Sequence, residues 1–177
     1  MKRTHVFTSL ALLFCLLLSV TSWAQKQEDK SKRPSPPATA TGKIGDATVT
    51  VNYSSPSVKG RKIWGELVPY DQVWRAGANE STTVEFSKDV MVEGKPLPAG
   101  KYSFFTIPGE NQWTVIFNKV NDKWGTEYDE KQDALRVMVT PAKAKTMNER
   151  LKYEVTPKGL VLRWENMEVP VAIQPAS

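Results

Sequence analysis

The side chains best suited to chemistry crowd into one stretch: Arg61, Trp64, Trp74, Arg75, Asn79 and Glu80. Arginine offers a planar fork for carboxylate, phosphate or sulfate. Tryptophan offers a flat apolar face that stacks on a sugar or an aromatic ring. Asn79 and Glu80 add an amide and an acceptor, so these residues can line a polar pocket with aromatic walls for a small anionic or saccharide ligand. They also have a purely structural reading, in which the tryptophans are core and each arginine binds loop carbonyls. The one His and the one Cys are His5 and Cys15, both near the amino terminus. The rest of the chain therefore lacks Ser-His-Asp and Cys-His catalysis, zinc or haem held by His or Cys, and redox thiols. Carboxylates remain, and a glycosidase-type pair would need two acids roughly 5 to 9.5 Å apart. Asp71 and Glu80 are the nearest nominees, with Arg75 placed to tune a pKa, but no motif singles out a pair and no catalytic residue is assigned. A second group of acids, Asp122, Glu127, Asp129, Glu130 and Asp133, follows or flanks Trp124. It lacks the spacing and Gly of an EF-hand loop, and neither a metal nor a cofactor is expected.

The chain that must position these groups has 177 residues, about one domain's worth. Its start carries Lys2 and Arg3, a Leu-rich apolar core over 6–20, and Ser22-Trp23-Ala24 before Gln25. That is the pattern of a secretory signal over 1–24, cleaved after Ala24. The apolar core is shorter than the roughly 20 residues of a membrane span, so no span is expected after cleavage, and the protein is expected to be exported to the periplasm or secreted. Residues 25–42 are polar, with Lys26, Lys30, Lys32, Arg33, Pro34, Pro36 and Pro37, and read as a disordered linker that cannot offset its ordering entropy. Most of the formal net charge of +5 falls on these two leading segments. The domain that follows, over 43–177, is nearly neutral and lacks the concentrated basic footprint of a nucleic-acid binder.

Within the domain, apolar residues alternate in short runs. Ala47, Val49, Val51 and Tyr53 share one parity, and the pattern recurs at Val84 and Phe86, Val90 and Val92, Leu135 to Val139, Leu160 to Trp164 and Val169 to Ile173. This is the period of half-buried strands. Two runs, 101–107 and 113–117, are apolar on both parities and predict central strands covered on both faces. Turn residues at Glu93-Gly94-Lys95, Pro108 to Asn111 and Pro157-Lys158-Gly159 predict antiparallel reversals. Pro170 places the last strand at an edge or a bulge. A short helix is expected over 141–149. The expected architecture is all-β, an antiparallel β-sandwich or flattened barrel of about nine strands.

Residues 54–81 break the alternation and form a long Trp/Arg-rich connection, which in a compact domain is either functional or held by many tertiary contacts. Gly60-Arg61-Lys62-Ile63-Trp64-Gly65, then Val68-Pro69-Tyr70, then Val73-Trp74-Arg75-Ala76-Gly77-Ala78-Asn79-Glu80, then Leu97-Pro98-Ala99-Gly100-Lys101-Tyr102-Ser103 resembles the DUF2911 family of exported bacterial proteins. The resemblance runs from about Lys43 to Ile173. It implies export, a bacterial source and a compact β-rich fold, and it assigns no activity. Three functions stay open: a non-catalytic envelope binding or accessory module, a structural or protein-interaction domain with no ligand, and a carboxylate-dependent hydrolase.

Overall fold

Alternation of apolar and polar residues becomes strand after strand in the computed structural model, which describes residues 29–176. In chain order the strands are β1 (Pro37–Ile44), β2 (Ala47–Ser54), β3 (Thr83–Phe86), β4 (Val90–Val92), β5 (Lys95–Leu97), β6 (Gly100–Ile107), β7 (Trp113–Asn118), β8 (Asp133–Val139), β9 (Ala142–Thr156) and β10 (Gly159–Pro175). One sheet has the order β1-β2-β3-β6-β7-β8 and the other β5-β4-β10-β9. All neighbouring strands are antiparallel. The result is a two-sheet sandwich, not a closed barrel. Among the described residues, helix is confined to two short 3-10 turns, Lys30–Lys32 and Glu130–Gln132, and no helix is long and apolar enough to cross a membrane. The expected signal over 1–24 lies outside the described residues.

The inward residues are those the alternation selects. Val49 and Val51 of β2, Val84 and Phe86 of β3, and Leu160, Leu162 and Trp164 of β10 are all buried in one core. The expected central strands are β6 and β7, which hold interior positions in the larger sheet. Phe104 and Phe117 face the core, while Phe105 and Ile116 are buried on the other face, where Tyr128 packs edge-on to Phe105 at 5.0 Å.

Three expectations are corrected. Residues 37–42, expected as disordered linker, belong to β1, which pairs with β2 from Pro37↔Ser54 to Ile44↔Ala47. The composition looked unable to bury anything, but its small residues are what allow a close approach to β9. A Cβ on Gly42 would stand 2.8 Å from Val155 Cβ. The helix expected over 141–149 is instead the start of β9, because pairing with β10 at Ala142↔Glu168 and Lys143↔Met167 overrides local propensity. Finally, the runs over 160–164 and 169–173 are one strand. β10 bends at Glu165, whose φ is +52°, and the ladder to β9 shifts register on both sides of that residue. The bend carries the inward parity from Leu160, Leu162 and Trp164 to Val169, Val171 and Ile173, as a bulge must. It also folds the strand back, so that Ile173 N–H donates to Lys158 O at 3.1 Å. Pro170 falls between the end of pairing with β9 at Glu168 and the start of pairing with β4 at Ile173, where no ladder needs its missing N–H.

Candidate functional site

The connection between β2 and β3 is a strap across one end of the sandwich. Its first residues tie to β9 in the smaller sheet: Val58 N–H donates to Glu149 O at 2.7 Å and Leu151 N–H to Pro56 O at 2.9 Å. Arg150 Nη1 donates to Ser55 O at 3.0 Å. Its later residues return to β6 in the larger sheet, where Trp74 and Thr106 exchange backbone hydrogen bonds of 2.7 and 2.9 Å. Between these anchors the chain makes a tight turn closed by Val68 N–H to Ile63 O at 2.9 Å. Gly65 sits in that turn at φ +81°, with the Tyr70 ring 3.0 Å from where a Cβ would be. The turn drives Ile63, Trp64 and Val68 into the interior.

Trp64 is the hub of that insertion. Its ring meets Trp113 of β7 at 5.0 Å, Trp74 at 5.7 Å and Trp164 of β10 at 5.8 Å, each edge-on. Both sheets are thus linked to the strap through indole rings. The Nε1 atoms of Trp64, Trp113 and Trp164 are buried without an acceptor, and edge-on packing is the arrangement that sets the positive rim of one ring against the negative face of the next. Trp74 and Trp164 lie nearly parallel, 15° apart at 5.8 Å.

Beside this cluster opens a cleft of about 240 Å³. Pro56, Leu67, Val68, Trp74 and Trp164 supply its apolar wall, and Arg61, Arg75 and Ser35 its polar side chains. Arg61 is partly spent on the strap itself, donating from Nε to Val58 O at 3.0 Å and from Nη2 to Ser57 O. Arg75 differs. Among the described residues it has no acidic partner, its Nε is buried without an acceptor, and burial pushes its pKa down from the usual arginine value. The stem of Arg75 is held by the backbone of the loop after β7, since a Cβ on Gly125 would stand 2.4 Å from Arg75 Cδ.

Asn79 and Glu80 face elsewhere. Asn79, at φ +58°, donates from Nδ2 to Ser35 O at 3.0 Å. Glu80 accepts from Lys30 Nζ at 2.7 Å and Arg33 Nη1 at 2.9 Å. The Lys30 hydrogen bond dominates in pulling the Glu80 carboxyl down to about 2. These two residues hold the segment before β1 against the strap, and so bring Ser35 to the wall of the cleft.

The family model described as "Protein of unknown function (DUF2911)" matches residues 35–173. The chain belongs to this family. No curated protein and no solved structure matches the chain. The DUF2911 match begins at Ser35, two residues before β1, which agrees with the strand pairing of residues first read as linker.

Of the six residues nominated from this DUF2911 sequence, the structure brings Arg61, Trp74 and Arg75 together at the cleft, with Trp64 beneath them in the core. Asp71 is tied to the β6–β7 turn through its N–H to Pro108 O at 2.8 Å. Glu80 is locked in ion pairs, and a carboxyl held near 2 is a poor proton donor at neutral pH. Among the acids after Trp124, Asp133 accepts from Tyr128 Oη, Arg136 Nε and Asn118 Nδ2 at 2.6 to 2.7 Å, and its burial and Asp133 push the Tyr128 hydroxyl up to about 12. Asp129 caps the turn at Lys131. No group of acids among the described residues is arranged to hold a metal ion. Sequence reasoning missed Ser35, Pro56, Leu67 and Trp164 as cleft residues. Trp164 carries the signal of an ordinary strand position, and its place in the cleft follows only from how β10 meets the strap.

Proposed function

We propose that this protein is an exported binding module of the bacterial envelope whose Arg61/Arg75 cleft takes a small ligand by its negative charge. The supporting observation is Arg75: a guanidinium in a partly apolar cleft, beside a second arginine, with no carboxylate to neutralise it. Structural arginines in proteins normally find an anion or several carbonyls. The aromatic wall provides apolar contact next to the charge, as small-molecule sites do. A second reading, in which the strap serves the fold alone, draws on Arg61, whose Nε and Nη2 both bind strap carbonyls, and on buried Trp64.

The deciding measurement is thermal unfolding of the purified protein, wild type and Arg75→Met, against organic acids, nucleotides, sugars and divalent ions. A ligand at 100 times its dissociation constant adds about 2.7 kcal/mol, a shift of several degrees at this size. The binding reading expects such a shift in the wild type and none in the folded variant. No shift with any compound leaves the strap a structural element. The export half of the proposal is checked separately, by fractionating cells that express the tagged full chain.

A further inference from the structure

Resting on that reading, we infer that the ligand is a monocarboxylate with a flat apolar body, not a neutral saccharide and not a phosphate. The inference comes from the donors and acceptors in the cleft wall. A sugar presents hydroxyls that each donate and accept, and protein sites match them with carboxylates and amides beside the aromatic ring. Here no Asp, Glu, Asn or Gln lines the cleft; the one side-chain acceptor among the lining residues is the Ser35 hydroxyl. Asn79 and Glu80, which would have supplied that chemistry, are turned to Ser35 O and to Lys30 and Arg33.

The free donors are equally limited. Arg61 has committed Nε and Nη2 to backbone carbonyls, so Arg75 is the one guanidinium of the cleft with no partner. One planar fork matches one carboxylate, with two parallel hydrogen bonds. Arg61 keeps its charge but has two donors spent on carbonyls, so the further oxygens of a phosphate dianion would meet only its remaining donors and the Ser35 hydroxyl beside an otherwise apolar wall. The ligand's other end meets Trp74, Leu67, Val68 and Pro56, and the partly exposed Trp74 ring favours a flat group laid against it. A volume of about 240 Å³ lies below the range of roughly 300–1,000 Å³ for drug-sized ligands, which keeps the body to about one ring.

The test uses benzoate as probe, with benzamide, acetate, inorganic phosphate and maltose beside it, on the purified protein by calorimetric titration and by Trp fluorescence. Expected is binding of benzoate at least tenfold tighter than benzamide and acetate, with a change in Trp emission, and loss of that binding in Arg75→Gln. Arg75→Lys, which keeps the charge but not the fork, is expected to bind benzoate at least tenfold more weakly. If the Arg75 variants do not fold, the benzoate-to-benzamide ratio in the wild type still decides the point. Equal binding of benzoate and benzamide overturns the inference. Binding of phosphate or maltose without benzoate overturns it too, while leaving a ligand-binding cleft in place. No binding by any probe overturns the inference, and the proposed function falls with it when the wider panel of organic acids and nucleotides also gives no thermal shift.

Discussion

Trp64→Ala tests whether the strap is part of the core or a detachable surface feature. The ring is 7% exposed and touches three other indoles, at 5.0, 5.7 and 5.8 Å. A buried aromatic removes about 150–250 Å² from water, which at about 25 cal/mol per Å² is worth about 4 to 6 kcal/mol. Alanine retains a little of this, and measured Trp-to-Ala truncations in cores lie at about 3–5 kcal/mol once the residual cavity is included. We therefore expect a loss of about 4 kcal/mol. Domains have about 5–15 kcal/mol in all, so the variant should be folded but marginal, with a midpoint about 8–16 °C lower. The assay is urea unfolding followed by far-UV circular dichroism and by Trp emission, with both probes required to coincide. A loss under about 1 kcal/mol would refute the placement of Trp64 as the ring that ties both sheets to the strap.

Glu80→Gln should lower stability at pH 7 by about 1 kcal/mol, a figure kept small because the side chain is more than a third exposed. The folded Glu80 carboxyl is depressed from 4.5 to about 2, so its stabilisation is complete above about pH 4.5 and lost as pH falls towards 2; the gap between wild type and variant in urea titrations should close over that window. Gly159→Ala should be severe, about 3 kcal/mol or more, because φ there is +140° and the new Cβ would stand 2.0 Å from Val171 O; wild-type stability in that variant would contradict the folding-back of β10. Arg75→Met keeps the stem against Gly125 and removes a desolvated charge, so stability should stay level or rise by about 1 kcal/mol. A loss of 2 kcal/mol or more on urea unfolding would make Arg75 a structural residue.

Five strands of the larger sheet are legible because they obey one rule. β2, β3, β6, β7 and β8 each show period 2, or apolar residues on both parities where both faces are covered, and the turns between them carry Gly, Pro, Asn or Asp. β1 and β9 were illegible for opposite reasons. β1 has almost no apolar mass to register, since its fit against β9 depends on the missing side chain of Gly42. The start of β9 is built from residues that suit a helix and is a strand only because β10 lies beside it. At the site, residue type revealed that the strap holds unusual chemistry but not how the roles divide. Trp64 and Trp74 look alike in sequence, yet one is core and the other only partly buried. Arg61 and Arg75 look alike, yet one donates to carbonyls and the other, among the described residues, to nothing. Those differences are set by where the strap leaves β9 and rejoins β6, which is long-range geometry.

The strap's structural role and its proposed binding role are compatible because they fall on different atoms. Closing the sandwich requires buried rings and backbone anchors, and Ile63, Trp64 and Val68 with the bonds to Glu149, Leu151 and Thr106 meet that need. None of these contacts requires a guanidinium at position 75, and a half-buried cation without a partner opposes stability. The fold nevertheless encloses it: Gly125 leaves room for the Arg75 stem where any Cβ would collide, and Asn79 and Glu80 fasten the segment that walls the cleft on its other side. A charge that the rest of the structure accommodates but does not neutralise is what the proposed function answers with an anion from outside. On that proposal the walls, already fastened, would leave little ordering to be done on binding.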